Sequence, residues 1–290
     1  MVALALIVGA LPFLFPLTAD ARIPKKQDFG ERRVDKVGPW LDDPHEKIGF
    51  TYGAWAQLQT NYIWRGMYIG GLSLQGSADV GYGGLYLDMW WNLGADNYAF
   101  TGFQPEMDLT LGFSRWGLDL SVMYVYNFNK SMFDFHNYAP GQGGNGLEVR
   151  ARYTVSSKLP LSILWATRVS AKDGFINADG DLQRAYSSYL ELSYTHHFDC
   201  DVSLYGALGI TPWRSMYTNY EGGATVCNLQ MGCTKSWQVS KHCGLRLTAQ
   251  LMMNPYYLAH RDMADKYFDS RQLGCPALNG NIGFGVYLIK

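Results

Sequence analysis

Phe50–Leu93, FTYGAWAQLQTNYIWRGMYIGGLSLQGSADVGYGGLYLDMWWNL, reads as three strands that alternate apolar and polar residues. In the third, Leu85, Leu87, Met89, Trp91 and Leu93 share one face, and Tyr86, Asp88, Trp90, Asn92 and Gly94 share the other. A side-chain period of two is what an extended strand imposes. The pattern serves two opposite architectures. A soluble sandwich turns the apolar face inward, whereas a transmembrane barrel turns it toward lipid and encloses the polar one.

The 290-residue chain carries 32 Gly, 20 Tyr, 14 Phe and 9 Trp, while charged residues make up only 17%. That mixture suits many strands joined by tight turns, with amphipathic rings where apolar and wet zones meet. A net charge of −1 offers no electrostatic footprint for nucleic acid, which is excluded as a partner. Mean hydropathy is −0.13, too polar for a bundle of membrane helices. A membrane protein of this hydropathy has to be a barrel.

Met1–Ala21 is apolar, ends in Ala19-Asp20-Ala21 and resembles a cleaved secretory signal peptide, although no Lys or Arg precedes the apolar run. Pro12 and Pro16 interrupt that run, which argues against a retained anchor. Residues 22–48 read as a charged, flexible periplasmic leader without apolar period, and the barrel is expected over 49–290.

The pattern predicts about twelve strands, with bounds uncertain by roughly two to four residues. They are 49–65, 72–81, 85–94, 106–114, 117–128, 147–156, 160–170, 184–196, 201–211, 225–236, 244–254 and 281–290. Connections alternate short and long, with Gly66–Gly71 as the exception, as in outer-membrane barrels with short periplasmic turns and long external loops. The expected fold is all-β: a closed, antiparallel transmembrane barrel with up-and-down meander order. Strand 160–170 breaks the alternation, because Leu164 and Ala166 share the face of Ser162, Arg168 and Ser170. The chain ends NIGFGVYLIK, an apolar final strand of the kind the barrel-assembly machinery reads, although its last residue is Lys290 rather than an aromatic.

Tyr62-Ile63-Trp64-Arg65-Gly66, Gln75, Tyr82-Gly83-Gly84-Leu85-Tyr86 and Trp90-Trp91-Asn92 resemble the opening of the TorF-like porins and related uncharacterised outer-membrane barrels of Bacteroidota. Gly209-Ile210-Thr211-Pro212-Trp213 and Asn254-Pro255 resemble later landmarks of the same group. The resemblance implies an outer-membrane barrel with a transport role in a Gram-negative cell, and supplies no binding residue.

Sites of other chemistry are weak. Gly141–Gly146 matches G-x-G-x-x-G but precedes a strand, whereas a dinucleotide site needs a helix there. None of the six histidines has Ser two positions later, so the local His–Ser pair of a lipid hydrolase is absent. His196, His197, Asp199 and Cys200 could ligate a metal, but read as a solvated turn. Five cysteines leave at least one unpaired; Cys227 and Cys233 read as apolar surface, and a Cys200–Cys243 bridge stays open.

The candidate functional residues are the charges expected in the lumen: Arg65, Asp88, Asp108, Asp119, Glu148, Arg150, Arg152, Arg168, Glu191 and Arg246. They either pair into a polar core or form a selectivity lining. Phe133, Phe135 and Tyr138, in the long Asn129–Gly146 loop, could form a constriction. The leading expectation is passive passage of small polar solutes through an integral outer-membrane porin. A closed accessory barrel binding a partner protein is the alternative, and a lipid-acting enzyme comes third. No cofactor or metal is expected. The expected partners are membrane lipid and lipopolysaccharide, the barrel-assembly machinery and a small polar solute.

Overall fold

A computed structural model describes residues 50–95, 103–128, 133, 145–156, 159–170, 173–221, 223–260 and 277–288. Expectations for the signal peptide and leader lie outside them. Twelve strands close into one antiparallel barrel. In chain order these are β1 (Phe50–Gln59), β4 (Ser73–Tyr82), β5 (Leu85–Ala95), β6 (Phe103–Arg115), β7 (Leu118–Tyr126), β8 (Gly146–Thr154), β9 (Leu161–Arg168), β12 (Ser188–His197), β13 (Val202–Thr211), β14 (Thr225–Gln238), β15 (Cys243–Met253) and β16 (Leu278–Leu288). Each pairs with its chain neighbour in this series, and β16 closes on β1 through pairs such as Trp55 with Tyr287. Closure leaves no edge strand, which hydrocarbon surroundings demand.

Two short hairpins stand outside the barrel sheet: β2 (Tyr62–Trp64) with β3 (Met67–Gly70), and β10 (Gly174–Ile176) with β11 (Leu182–Arg184). The first corrects the expected strand 49–65. The barrel strand ends at Gln59, and the chain then turns back on itself at Arg65-Gly66 before β4. Both turn residues have positive φ, 46° and 83°, the left-handed pair that a two-residue hairpin needs. The connection between β1 and β4 is therefore residues 60–72, on the long-loop rim, and Gly66–Gly71 is no exception to the alternation of loops. The second hairpin shortens the strand expected over 184–196, which begins at Ser188.

The two faces are inverted relative to a soluble protein. Leu85, Leu87, Leu111, Leu120, Ile163, Leu204, Phe284 and Val286 are exposed on the outside. Asp79, Asp108, Asp119, Glu148, Glu191 and Arg246 are buried inside. Exposed aromatics edge the apolar band. Tyr52, Tyr82, Trp116, Tyr153, Phe198 and Trp237 sit toward the short-turn rim, and Phe128, Trp165 and Trp213 toward the long-loop rim. Such belts mark the two interfaces of a bilayer. An even-stranded antiparallel barrel with this inversion is an integral outer-membrane architecture. No helix among the described residues is long and apolar enough to cross a membrane.

Lumen tyrosines brace this wall by lying on glycines of neighbouring strands. A Cβ on Gly112 would collide with the Tyr86 ring, one on Gly209 with Tyr189, and one on Gly244 with Tyr287. Each pairing fills the space left by a missing side chain, a device that keeps a curved sheet packed.

Candidate functional site

The hairpin β2–β3 folds into the long-loop half of the lumen and touches the wall on several sides. Arg65, at its tip, is only 8% exposed. Its guanidinium binds Glu148 of β8 as a two-pronged pair, Nη1 to Oε2 at 2.8 Å and Nη2 to Oε1 at 2.9 Å. Nη1 also donates to the Tyr217 hydroxyl at 2.8 Å. The Trp64 and Tyr189 rings lie 4.7 and 4.8 Å from the guanidinium carbon. A planar fork between two rings and a carboxylate is a geometry that Arg fills and Lys does not. Arg150 Nε donates to the same Glu148 at 2.6 Å, so two cations share one carboxylate. Burial raises the Tyr217 phenol to about 12, with Arg65 pulling it the other way.

The socket that receives the hairpin is apolar. Met67 packs with Leu164, Tyr189, Tyr217 and Cys227 in one buried cluster. This explains the broken alternation of strand 160–170: Leu164 and Ala166 are buried on the lumen face, where Leu164 packs against Met67 of the hairpin. It also corrects the expectation for Cys227, which is fully buried inside rather than on the apolar surface. The register of β13 against β14 shifts at Gly209–Ile210, and the bulge turns Cys227 inward. Gly66 closes the fit, because a Cβ there would overlap the Cys227 carbonyl oxygen. The Asn254 amide donates to the Gly66 carbonyl at 3.2 Å and to the Tyr217 carbonyl at 3.4 Å. Its Oδ1 caps the short helix α1 (Pro255–Ala259) by accepting from Tyr256 and Tyr257.

The other expected lumen residues take separate places. Asp119 accepts from the Tyr86 hydroxyl at about 3 Å and pairs in register with Arg152. Asp88 accepts from Ser77, and Asp108 is 1% exposed on β6. Glu191 accepts from Tyr189 at 2.6 Å, whose hydroxyl in turn accepts from Asn228 at 2.9 Å. Arg168 lies opposite Glu148 at the long-loop end, and Arg246 donates to Gln57 at 3.0 Å. The wall aspartates thus gather on β4 to β7 and Arg150, Arg152 and Arg168 on β8 and β9, while Glu148 lies on β8, Glu191 on β12 and Arg246 on β15. Arg65 alone is not on the wall; it reaches the wall from the hairpin.

Phe133 is 70% exposed, and Phe135 and Tyr138 lie outside the described residues. Among the described residues, β2–β3 reaches inward to Glu148 and Leu164 of the wall. Asp79, which sequence reasoning passed over, is buried directly opposite Asp88 on β4. Its alternation with Val80 and Tyr82 would have placed it there.

Of the other described thiols and histidines, Cys200, Cys243, His196, His197 and His242 fall near the short-turn rim, whereas His260 ends α1 at the long-loop rim. Cys200 and Cys243 are free thiols, not a bridge. His196 and His197 end β12 rather than forming a turn, with His197 Nδ1 2.8 Å from Ser203 Oγ. Among the described residues no cluster could hold a metal ion. Lys235 occupies an outward position but extends to the Cys200 carbonyl at the rim, keeping its charge out of the apolar band.

No family model and no curated protein matches the chain. Among solved structures it is similar to the KdgM porin, at 8% identity over 81% of this chain and 98% of that one, with a TM-score of 0.39. It is similar to the NanC porin at 10% identity over 83% and 100%, with a TM-score of 0.43. An outer membrane channel from Pseudomonas putida F1 gives 12% identity over 84% and 97%, with a TM-score of 0.43. Likeness that remote carries no argument; the barrel rests on its own strand register and inverted faces.

Proposed function

We propose that this protein is a narrow outer-membrane channel for passive passage of small polar solutes, with β2–β3 as its constriction. One observation carries the reading: polar side chains line the enclosed face from rim to rim. Asp119, Arg152 and Thr154 lie toward the short-turn end, Asp88 and Thr110 further in, and Glu148, Arg168 and Asn279 toward the long loops. A hydrated solute would find hydrogen-bonding groups at every level, and rings of charge would set which solutes pass. The reading includes export with loss of the N-terminal segment, a TorF-like relationship, recognition of β16 by the assembly machinery, and lipopolysaccharide around the outer aromatic belt.

A second reading is a closed accessory barrel that binds a partner protein, favoured by the depth at which Arg65 is pinned. Single-channel recording in planar bilayers, with liposome swelling by sugars, amino acids and nucleosides, separates the two. The channel predicts small, reproducible steps in the unaltered protein that grow in Arg65→Ala. Silence in the unaltered protein with steps only in Arg65→Ala means a closed barrel. Silence in both removes the channel reading.

A further inference from the structure

We infer that the lumen wall built by β16, β1, β4 and β5 binds a neutral carbohydrate; this rests on the channel reading and names its substrate class. Register places Tyr287, Trp55, Ser77 and Trp90 side by side at one level across these four strands. One side-chain step toward the long loops, the same strands present Gly285, Gln57, Gln75 and Asn92. An aromatic tier therefore lies directly below an amide tier, with all these side chains on the enclosed face. The hairpin adds a further ring: Tyr62 stands 5.4 Å from Trp90.

The chemistry of the two tiers is that of a sugar ring. A pyranose offers a flat apolar C–H face and a rim of hydroxyls. Indole and phenol rings match the face. Amides, which donate and accept at once, match hydroxyls that do the same. The amides here already form a connected system: Gln59 donates to Gln75 at 2.8 Å, Gln75 to Ser73 at 3.1 Å, and Asn281 to Gln59.

Two groups in this wall remain unmet among the described residues. The Trp55 indole N–H is a buried donor and Asn92 Oδ1 a buried acceptor, each without a partner. Trp55 is 9% exposed and Asn92 5%. Buried polar groups are rarely left so, and a ligand hydroxyl can supply either partner. They sit one tier apart on β1 and β5, whose backbones are two strand spacings, about 10 Å, apart. The carboxylates of Asp79, Asp88 and Asp108 border the same wall and outweigh the Arg246 guanidinium, which lies 5.2 Å from the Trp55 ring and donates to Gln57, so the wall favours a neutral sugar over an anionic one.

Purified protein is tested with maltotriose as the neutral probe and glucuronate as the anionic one. Blockage of the single-channel current and the tryptophan emission of the protein in detergent are read together. Maltotriose is expected to reduce the current and shift the emission, with glucuronate inert. Trp55→Phe, which keeps an aromatic ring but removes the indole N–H and part of the stacking surface, should weaken the maltotriose response on the order of tenfold, as should Asn92→Ser. Normal current with no maltotriose response, or an equal response to glucuronate, overturns the inference and leaves the channel intact. A maltotriose emission shift without any current supports the binding wall while removing the channel. The unaltered protein decides these outcomes even if a variant fails to fold.

Discussion

At the scale of single residues, Arg65 and Glu148 concentrate the most consequence in the fewest atoms. The pair is buried, two-pronged and capped by two rings. Taking one partner away leaves the other charged and desolvated, which typically costs about 3–5 kcal/mol. Glu148→Gln should therefore destabilise the detergent-folded barrel by an amount in that range and lower its denaturation midpoint, because Arg65 and Arg150 both lose their counter-charge. Glu148→Asp, which keeps the charge, should lose less. Equal midpoints for all three proteins would mean that the pair is a bystander. Arg65 could be read from the sequence as a charge destined for the interior, but its partner could not, since Glu148 lies 83 positions away.

At the scale of elements, β2–β3 is a small hairpin that would be marginal alone and is held by what surrounds it. Its apolar anchor, Met67, sits among Leu164, Tyr189, Tyr217 and Cys227. Met67→Asp would set an unpaired charge in that socket, a cost large enough to expel the hairpin. Trypsin then reports the outcome: Arg65 should resist cleavage in the unaltered barrel and be cut in Met67→Asp. Rapid cutting of the unaltered protein at Arg65 would contradict the inward placement. Short alternating strands such as β5 and β15 were fully legible in the sequence, because the period of two is a local property. The hairpin was not, because Tyr62, Trp64 and Met67 continue much the same pattern of apolar residues as the strand before them.

At the scale of the whole molecule, one inversion governs behaviour: apolar residues outside, polar residues inside. Leu109 and Thr110 are chain neighbours near the middle of β6 and face opposite media. Leu109→Arg should cost about 2–4 kcal/mol of folding into lipid bilayers, as for a cation at the membrane midplane. Thr110→Asn, changed on the enclosed side, should cost far less. Denaturant titration of folding into vesicles measures both, and the reverse order would turn the barrel inside out. The number of strands, their faces and their alternating connections follow from the sequence by itself, because each depends on residues within one strand or turn. What only the tertiary structure decided is where residues 60–72 go. The chain turns inward there because Glu148, Leu164, Tyr217, Cys227 and Asn254, remote in sequence, converge into a socket that exists only once the barrel has closed.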